Sequence, residues 1–129
     1  MSDIVVPGFK SSELIAELSK VFDAYSPEEK AALIKKVNGV FEFVIKNADG
    51  KTETFTVDCK KEGKVTRGKG KQKADAILTL KDQDFVDLAT GKLNGQKAYM
   101  SGKLKIKGQI MLAMKLDSVF KSLNPTAKL

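Results

Sequence analysis

The chain of 129 residues contains no histidine and no tryptophan. Histidine is the side chain whose ordinary pKa lies closest to neutral pH, and it is also the commonest metal ligand. Its absence excludes Ser-His-Asp and Cys-His catalytic arrangements and removes the usual general base. The composition therefore favours a function other than catalysis.

Cysteine is nearly absent as well, because Cys59 is the only one in the chain. No disulfide can form within the chain, which is compatible with a reducing compartment. Cys59 alternates with Phe55 and Val57 in a strand-like pattern, so its thiol is expected on an apolar face. A thiol in such surroundings stays protonated and inert. We interpret Cys59 as a core residue and not as a nucleophile.

Arginine is equally rare, although the formal net charge is +7. Arg67 is the only arginine among lysines that are spread along the chain, and there are only two tyrosines. Sequence-specific binding of nucleic acids relies on bidentate arginine and on stacking aromatic rings, so no nucleic-acid partner is expected. The lysines fit a diffuse, transient attraction to an anionic membrane, and they fit plain solubility equally well.

Long apolar stretches are also missing, since no run approaches the ~20 residues that a transmembrane helix needs. Residues 1–10 lack a basic segment followed by an apolar one, so no secretory signal is expected. Hydrophobic residues make up 42% of the chain and charged residues 30%, which is typical of a globular protein. We predict one domain over residues 1–129, and a monomer by default.

Two motifs approach known ligand sites but lack a deciding residue. Residues 63–70 nearly match a phosphate-binding loop, but Gly70 stands where Ser or Thr must hold magnesium. The acidic residues Asp82, Asp84 and Asp87 lack the ligand spacing of a calcium loop, because Val86 occupies the next required position. We interpret the first motif as a hairpin loop and the second as acids in the first turn of a helix. No metal site is predicted.

Hydrophobic periodicity predicts two helices, four strands, two helices, a fifth strand and a final helix. We predict strands over residues 40–46, 52–60, 65–67, 74–80 and 103–107, and a final helix over about 109–123. The predicted helix caps are Ser11 or Ser12, Ser26 with Glu29 in a capping box, Asp82, and Asn94. This order predicts an α+β fold, in which about five helices cover a five-stranded, mainly antiparallel sheet.

Residues 95–116 join a basic strand to an unusually apolar helix. Leu104 and Ile106 lie on one face of the predicted strand. The other face carries Lys103, Lys105 and Lys107. After Gln109 the helix is apolar around most of its circumference until Lys115. Such a helix is expected to face apolar material on more than one side. Periodicity alone favours a plain core over a ligand-binding wall.

The chain ends in Ala127, Lys128 and Leu129, a close variant of the Ser-Lys-Leu tripeptide that directs proteins to peroxisomes. A proline precedes it, and we predict that residues 126–129 form an exposed targeting tail beyond the folded domain.

Taken together, these motifs resemble the sterol carrier protein 2 family in its single-domain form. The resemblance covers nearly the whole chain, and the terminal tripeptide also resembles the peroxisomal ending of that family. It rests mainly on Asp84, Phe85, Leu88, Gly91, Lys92 and Leu93, on residues 96–106, on Gly108, and on residues 113–116. The resemblance implies that the sheet and helices enclose an apolar tunnel, and it implies neither catalysis nor a cofactor.

For the individual residues, the resemblance implies that the final helix seals the sheet on one side and lines the tunnel on the other. Methionine suits such a wall because its flexible thioether adapts to different apolar shapes. Gln109 is expected near the mouth of the tunnel. The predicted lipid-binding wall residues are Phe85, Leu88, Leu93, Ala98, Met100, Leu104, Ile106, Ile110, Met111 and Met114.

The sequence and the resemblance together predict a non-specific lipid-binding and transfer protein of the peroxisomal matrix. Its ligands would be fatty acids, fatty acyl-CoA or sterols, and its partners would include the peroxisomal import receptor. An alternative stays open: an accessory module that presents acyl-CoA to peroxisomal beta-oxidation enzymes or to membranes.

Overall fold

A computed structural model of the chain describes residues 4–61, 63–68 and 73–115. Within these ranges the helices and strands follow the predicted order. The predicted continuation of the last helix to residue 123 and the predicted tail lie outside the described residues. The elements are α1 (Lys10–Ala24), α2 (Pro27–Val37), β1 (Gly39–Lys46), β2 (Thr52–Cys59), β3 (Lys64–Arg67), β4 (Ala76–Lys81), α3 (Asp82–Ala89), α4 (Gly95–Met100), β5 (Leu104–Gly108) and α5 (Ile110–Met114).

The five strands form one sheet in the order β3-β2-β1-β4-β5. Three of the four neighbouring pairs are antiparallel, as predicted, but β1 and β4 run parallel and place Phe43 beside Leu78. The sheet is therefore mixed. The β2–β3 hairpin lies between β1 and β4 in sequence. Strand β2 returns to the start of β1, β3 runs away from it again, and β4 begins with Ala76 beside Phe41, near the start of β1.

The core lies between the sheet and its helices. Phe41, Phe43 and Ile45 of β1 are all buried, and the ring of Phe85 in α3 meets that of Phe43 edge-to-face, with 5.3 Å between ring centroids. Edge-to-face packing is a preferred arrangement for aromatic pairs. The central strand thus binds α3 to the sheet.

Cys59 lies at the end of β2 and is fully buried. Burial raises the pKa of its thiol from 9.0 to about 12, and the neighbouring carboxylate of Asp58 contributes a smaller increase. A thiol with this pKa remains protonated at neutral pH. The interpretation of Cys59 as an inert core residue is confirmed.

The predicted cap of α1 is wrong, because neither Ser11 nor Ser12 caps the helix. Ser12 serves the preceding segment: its hydroxyl accepts the Val6 N–H at 2.9 Å and donates to the Phe9 carbonyl at 2.6 Å. The first N–H groups of α1 bond instead to the carboxylate of Asp82, from Lys10 at 3.0 Å and from Ser11 at 2.8 Å.

The predicted role of Asp82 changes accordingly, since Asp82 is the first residue of α3 and not its cap. Its carboxylate lies where the positive ends of two helix dipoles meet, α1 and α3, and it stabilises both. By contrast, the capping box of Ser26 and Glu29 at α2 and the Asn94 cap at α4 are both confirmed.

Replacing Asp82 with alanine is expected to lower the free energy of unfolding by about 1–2 kcal/mol, because α1 loses the acceptor for two N–H groups. Asp84→Ala is the matched control: it removes a carboxylate from the same turn of α3, and no hydrogen bond joins that carboxylate to α1 in the described structure. Urea unfolding monitored by circular dichroism measures both. Equal losses would contradict the bridging role of Asp82.

Candidate functional site

The segment singled out in the sequence builds one edge of the sheet. Asn94 starts α4 by accepting the Lys97 N–H at 2.7 Å, and β5 then pairs with β4 as the outermost strand. After Gly108 the chain enters α5, which contacts β4, β5 and α4. The two helices on either side of β5 in sequence, α4 and α5, therefore both contact the edge strand.

The inner face of β5 continues the core. Leu104 pairs with Leu80 and is buried, while Ile106 pairs with Leu78 and is half-buried. Several predicted wall residues belong to the same apolar cluster: Phe85, Leu88, Ala98 and Leu104 are buried in it, and Leu93 and Ile106 pack against it half-buried. We call these six residues the apolar layer. The structure brings these six side chains together in or against the core; their role as a lipid-binding wall stays a prediction.

Three other predicted wall residues lie at the surface. Met100 is 76% exposed and Met111 is 79% exposed, and Ile110 is 43% exposed. Gln109, the predicted mouth residue, is exposed beside them. The side chain of Met114 lies outside what the structure describes. The described members of the predicted set therefore divide into buried or half-buried residues, which form the apolar layer, and exposed residues.

Sequence reasoning missed Leu112, which is buried, unlike its described neighbours Ile110 and Met111 in α5. Leu112 packs directly over Gly39, where an added Cβ would overlap its side chain. The Lys115 ammonium donates to the Val37 carbonyl at 3.4 Å and connects α5 to the end of α2. The apolar pattern of α5 contained no polar stripe that could have indicated which of its side chains faces inward.

Asp75 fixes the junction between β5 and α5, and sequence reasoning missed it too. Its carboxylate accepts the Val40 N–H at 2.9 Å, and its carbonyl accepts the Gln109 N–H at 3.0 Å. Gly108 adopts a φ of 103°, and a Cβ there would overlap the Asp75 carbonyl. Only glycine combines this backbone angle with so close an approach. The start of α5 is thus bound to the start of β1.

A separate open groove of about 1120 Å³ lies among the segment before α1, the β1–β2 turn and the start of α3. Its lining includes none of the predicted wall residues. It includes charged side chains of both signs: Lys10, Glu13, Lys46, Asp49, Lys81 and Asp82. Because lipid sites are mostly apolar, we do not assign lipid binding to this groove.

Two further observations concern the described part of the chain. No group of three or more Cys, Asp or Glu side chains there is arranged to hold a metal ion. No helix within the described ranges is both long and apolar enough to cross a bilayer.

Comparison with known proteins places the chain in a family. The SCP-2 sterol transfer family matches residues 18–121, and the chain belongs to that family. It is 44% identical over 127 residues to the oleate-induced peroxisomal protein of Candida maltosa, covering 98% of each chain. It is 39% identical over 120 residues to a fatty acid-binding protein of Yarrowia lipolytica, covering 91% of this chain and 93% of that protein.

Solved structures share the fold. The apo form of sterol carrier protein 2 from Yarrowia lipolytica matches with a TM-score of 0.86 and 38% identity, over 95% of this chain and 97% of that one. The NMR structure of the Aedes aegypti sterol carrier protein 2 in complex with palmitate matches with a TM-score of 0.66 and 26% identity, over 88% of this chain and 96% of that one.

The packing of Leu112 over Gly39 can be tested with a double-mutant cycle. Gly39→Ala is expected to lower the free energy of unfolding by about 1–3 kcal/mol, because the new methyl group overpacks the contact with α5. In a Leu112→Ala background the same change should cost little, since the space is then free. Chemical denaturation of the four proteins gives the coupling energy. An equal cost in both backgrounds would show that Leu112 does not seat α5.

Proposed function

We propose that the chain is a non-specific lipid carrier that binds a fatty acid, a fatty acyl-CoA or a sterol in the apolar layer and transfers it between membranes. One observation carries the proposal. In a member of the SCP-2 sterol transfer family, Leu93 and Ile106 are half-buried and pack against a buried apolar cluster, and the helices α4 and α5, which contact β5, carry exposed apolar side chains. The Yarrowia relative is named for fatty acid binding, and the Aedes neighbour holds palmitate.

The physical basis of binding is the transfer of a lipid chain out of water. Each methylene group buried contributes about 0.8 kcal/mol, so affinity grows with chain length and depends little on the head group. On the sheet side the layer is rigid, because Leu104 and Ile106 belong to a paired strand. On the helix side, unbranched methionines adapt to ligands of different shape. Low selectivity among apolar ligands follows from the weak dependence of affinity on the head group and from the adaptability of the methionines.

The predicted tunnel is the form we propose for the occupied state. The lipid chain would lie along Phe85, Leu104 and Ile106, and the exposed Met111 would turn inward to close over it. Gln109 would lie at the mouth, where its amide can meet a polar head group. Binding of this kind requires no catalytic group and no cofactor.

We also propose that the protein acts in the peroxisomal matrix. The Candida relative is named as a peroxisomal protein, and Ala127, Lys128 and Leu129 match the form of a peroxisomal address. The import receptor would bind this tripeptide, which lies outside the described residues.

Titration with a fluorescent fatty acid is expected to show saturable binding near one-to-one. Ile106→Gln should weaken it about tenfold, because a polar group then lines the apolar layer. Ile77→Gln is the matched control: Ile77 is also half-buried, but it lies on the opposite face of the sheet, in the neighbouring strand. The control should bind like the original protein.

Absence of saturable binding would remove the proposed function. Equal affinity of the Ile106 and Ile77 variants would move the ligand away from the inner face of β5. Circular dichroism and thermal melting of each variant show whether a loss of binding reflects unfolding.

The targeting proposal has its own test. Deleting Leu129 from the chain fused behind an N-terminal fluorescent protein is expected to leave the fusion in the cytosol, because the import receptor reads the terminal tripeptide. Microscopy against a peroxisomal marker measures this. Import of the shortened fusion would show that the tripeptide is not the signal.

A further inference from the structure

Positive charge is concentrated in one part of the chain. Residues 88–116 contain six lysines and no aspartate or glutamate, so this stretch carries +6 of the net charge of +7. The rest of the chain is nearly neutral as a whole. The basic character of the protein therefore belongs mainly to the segment that contains α4, β5 and α5.

The same segment holds most of the large exposed apolar side chains that the structure describes. Five large apolar side chains are exposed among the described residues, and four of them lie here: Tyr99 and Met100 on α4, and Ile110 and Met111 on α5. Lysines usually serve solubility, and on an edge strand they also hinder pairing with other chains. Neither role explains why methionines stand exposed beside them.

The geometry places the charges and the apolar side chains around one sheet edge. Lys103, Lys105 and Lys107 recur at every second position and are all exposed, and over this length a strand rises about 13 Å. The two helices that carry the exposed apolar residues contact β5 and each other. None of the three lysines forms an ion pair within the described part of the chain.

We propose that this edge docks on the surface of an anionic lipid bilayer. We call it the docking edge and define it by Lys103, Lys105, Lys107 and the exposed side chains Tyr99, Met100 and Met111. The lysines would approach the anionic head groups, and the apolar side chains would enter the interface, which is the usual division in interfacial membrane binding. The proposal rests on the proposed carrier function: a lipid could pass between the bilayer and the adjoining apolar layer without crossing open water.

Charge complementarity favours a bilayer over an acidic protein. Recognition of individual carboxylates or phosphates typically uses the bidentate geometry of arginine, and the docking edge contains none. A row of flexible lysines provides diffuse attraction, which suits a fluid anionic surface.

Vesicle co-sedimentation tests the docking edge. The chain should bind vesicles of phosphatidylcholine mixed with phosphatidylserine, bind poorly to phosphatidylcholine alone, and lose affinity as salt rises. The triple variant Lys103→Gln, Lys105→Gln, Lys107→Gln should bind the mixed vesicles about a hundredfold more weakly, at roughly fivefold for each lysine near the surface. Tyr99→Ser should also weaken binding but leave its dependence on salt unchanged, because it removes an apolar contact and no charge.

The matched control is Lys51→Gln, Lys61→Gln, Lys64→Gln, which removes the same charge from exposed positions on the β2–β3 side of the sheet. It should keep most of the affinity for vesicles. Equal losses in the two triple variants would overturn the proposal, since net charge alone would then govern binding. Binding that is the same with and without phosphatidylserine would overturn it as well. If the original protein does not bind the mixed vesicles even at low salt, the proposal is overturned. An acidic protein would then become the partner to seek.

Fatty acid titration without vesicles separates this proposal from the carrier function. The triple variant of Lys103, Lys105 and Lys107 should bind the fatty acid with unchanged affinity, because Lys105 and Lys107 lie on the strand face opposite Leu104 and Ile106 and Lys103 is exposed just before the strand. An original protein that binds anionic vesicles but no fatty acid would remove the carrier function and keep the docking edge. A triple variant that keeps its fold yet loses fatty acid and vesicle binding together would count against a separate docking edge.

Discussion

The parallel pairing of β1 with β4 is the constraint on which the rest of the structure depends. It joins strands that are separated in sequence by a complete hairpin, and Asp75 closes its starting end by bonding to the backbone of Val40 in both directions, through its carboxylate and its own N–H. Once β4 lies beside β1, β5 can pair only on the outer side of β4. The Asp75 carbonyl then receives the Gln109 N–H, so the same residue determines where α5 begins. Burial of the central strand on its helix-covered face is what stabilises this arrangement.

Two glycines allow α5 to approach so closely. Gly108 turns the chain with a backbone angle that other residues rarely adopt, and Gly39 leaves room for Leu112. Among the α5 side chains that the structure describes, Leu112 is buried, while Ile110 and Met111 are exposed. The proposed carrier function requires local opening, because the ligand must enter and leave an apolar layer within a core that otherwise remains packed.

Most of the fold could be predicted because the signals that define it are local. Capping residues at Ser26 and Asn94, and the alternating apolar residues of β1 and β2, act through neighbours in sequence. Asp82 and Asp75 could not be assigned in this way. Asp82 binds Ser11, 71 positions away, and Asp75 binds Val40, 35 positions away. For Asp82, its place at the start of a helix was already a sufficient local explanation. The location of the candidate site stays a prediction, and the sequence did not indicate which of its residues are buried. A helix that is apolar on nearly every side does not indicate which side faces the core.

The distribution of charge suggests that the apolar layer and the proposed docking edge serve one function. A carrier that exposed methionines on a neutral surface would risk association with other copies of itself, because exposed apolar patches promote aggregation. Lysines beside them repel another copy of the chain and attract an anionic bilayer at the same time. In the proposed docking, like charges would oppose association between copies in solution, and the same charges would direct the exposed apolar side chains toward the surface from which a lipid is taken up. Concentrating nearly all of the net charge in residues 88–116 would serve both effects.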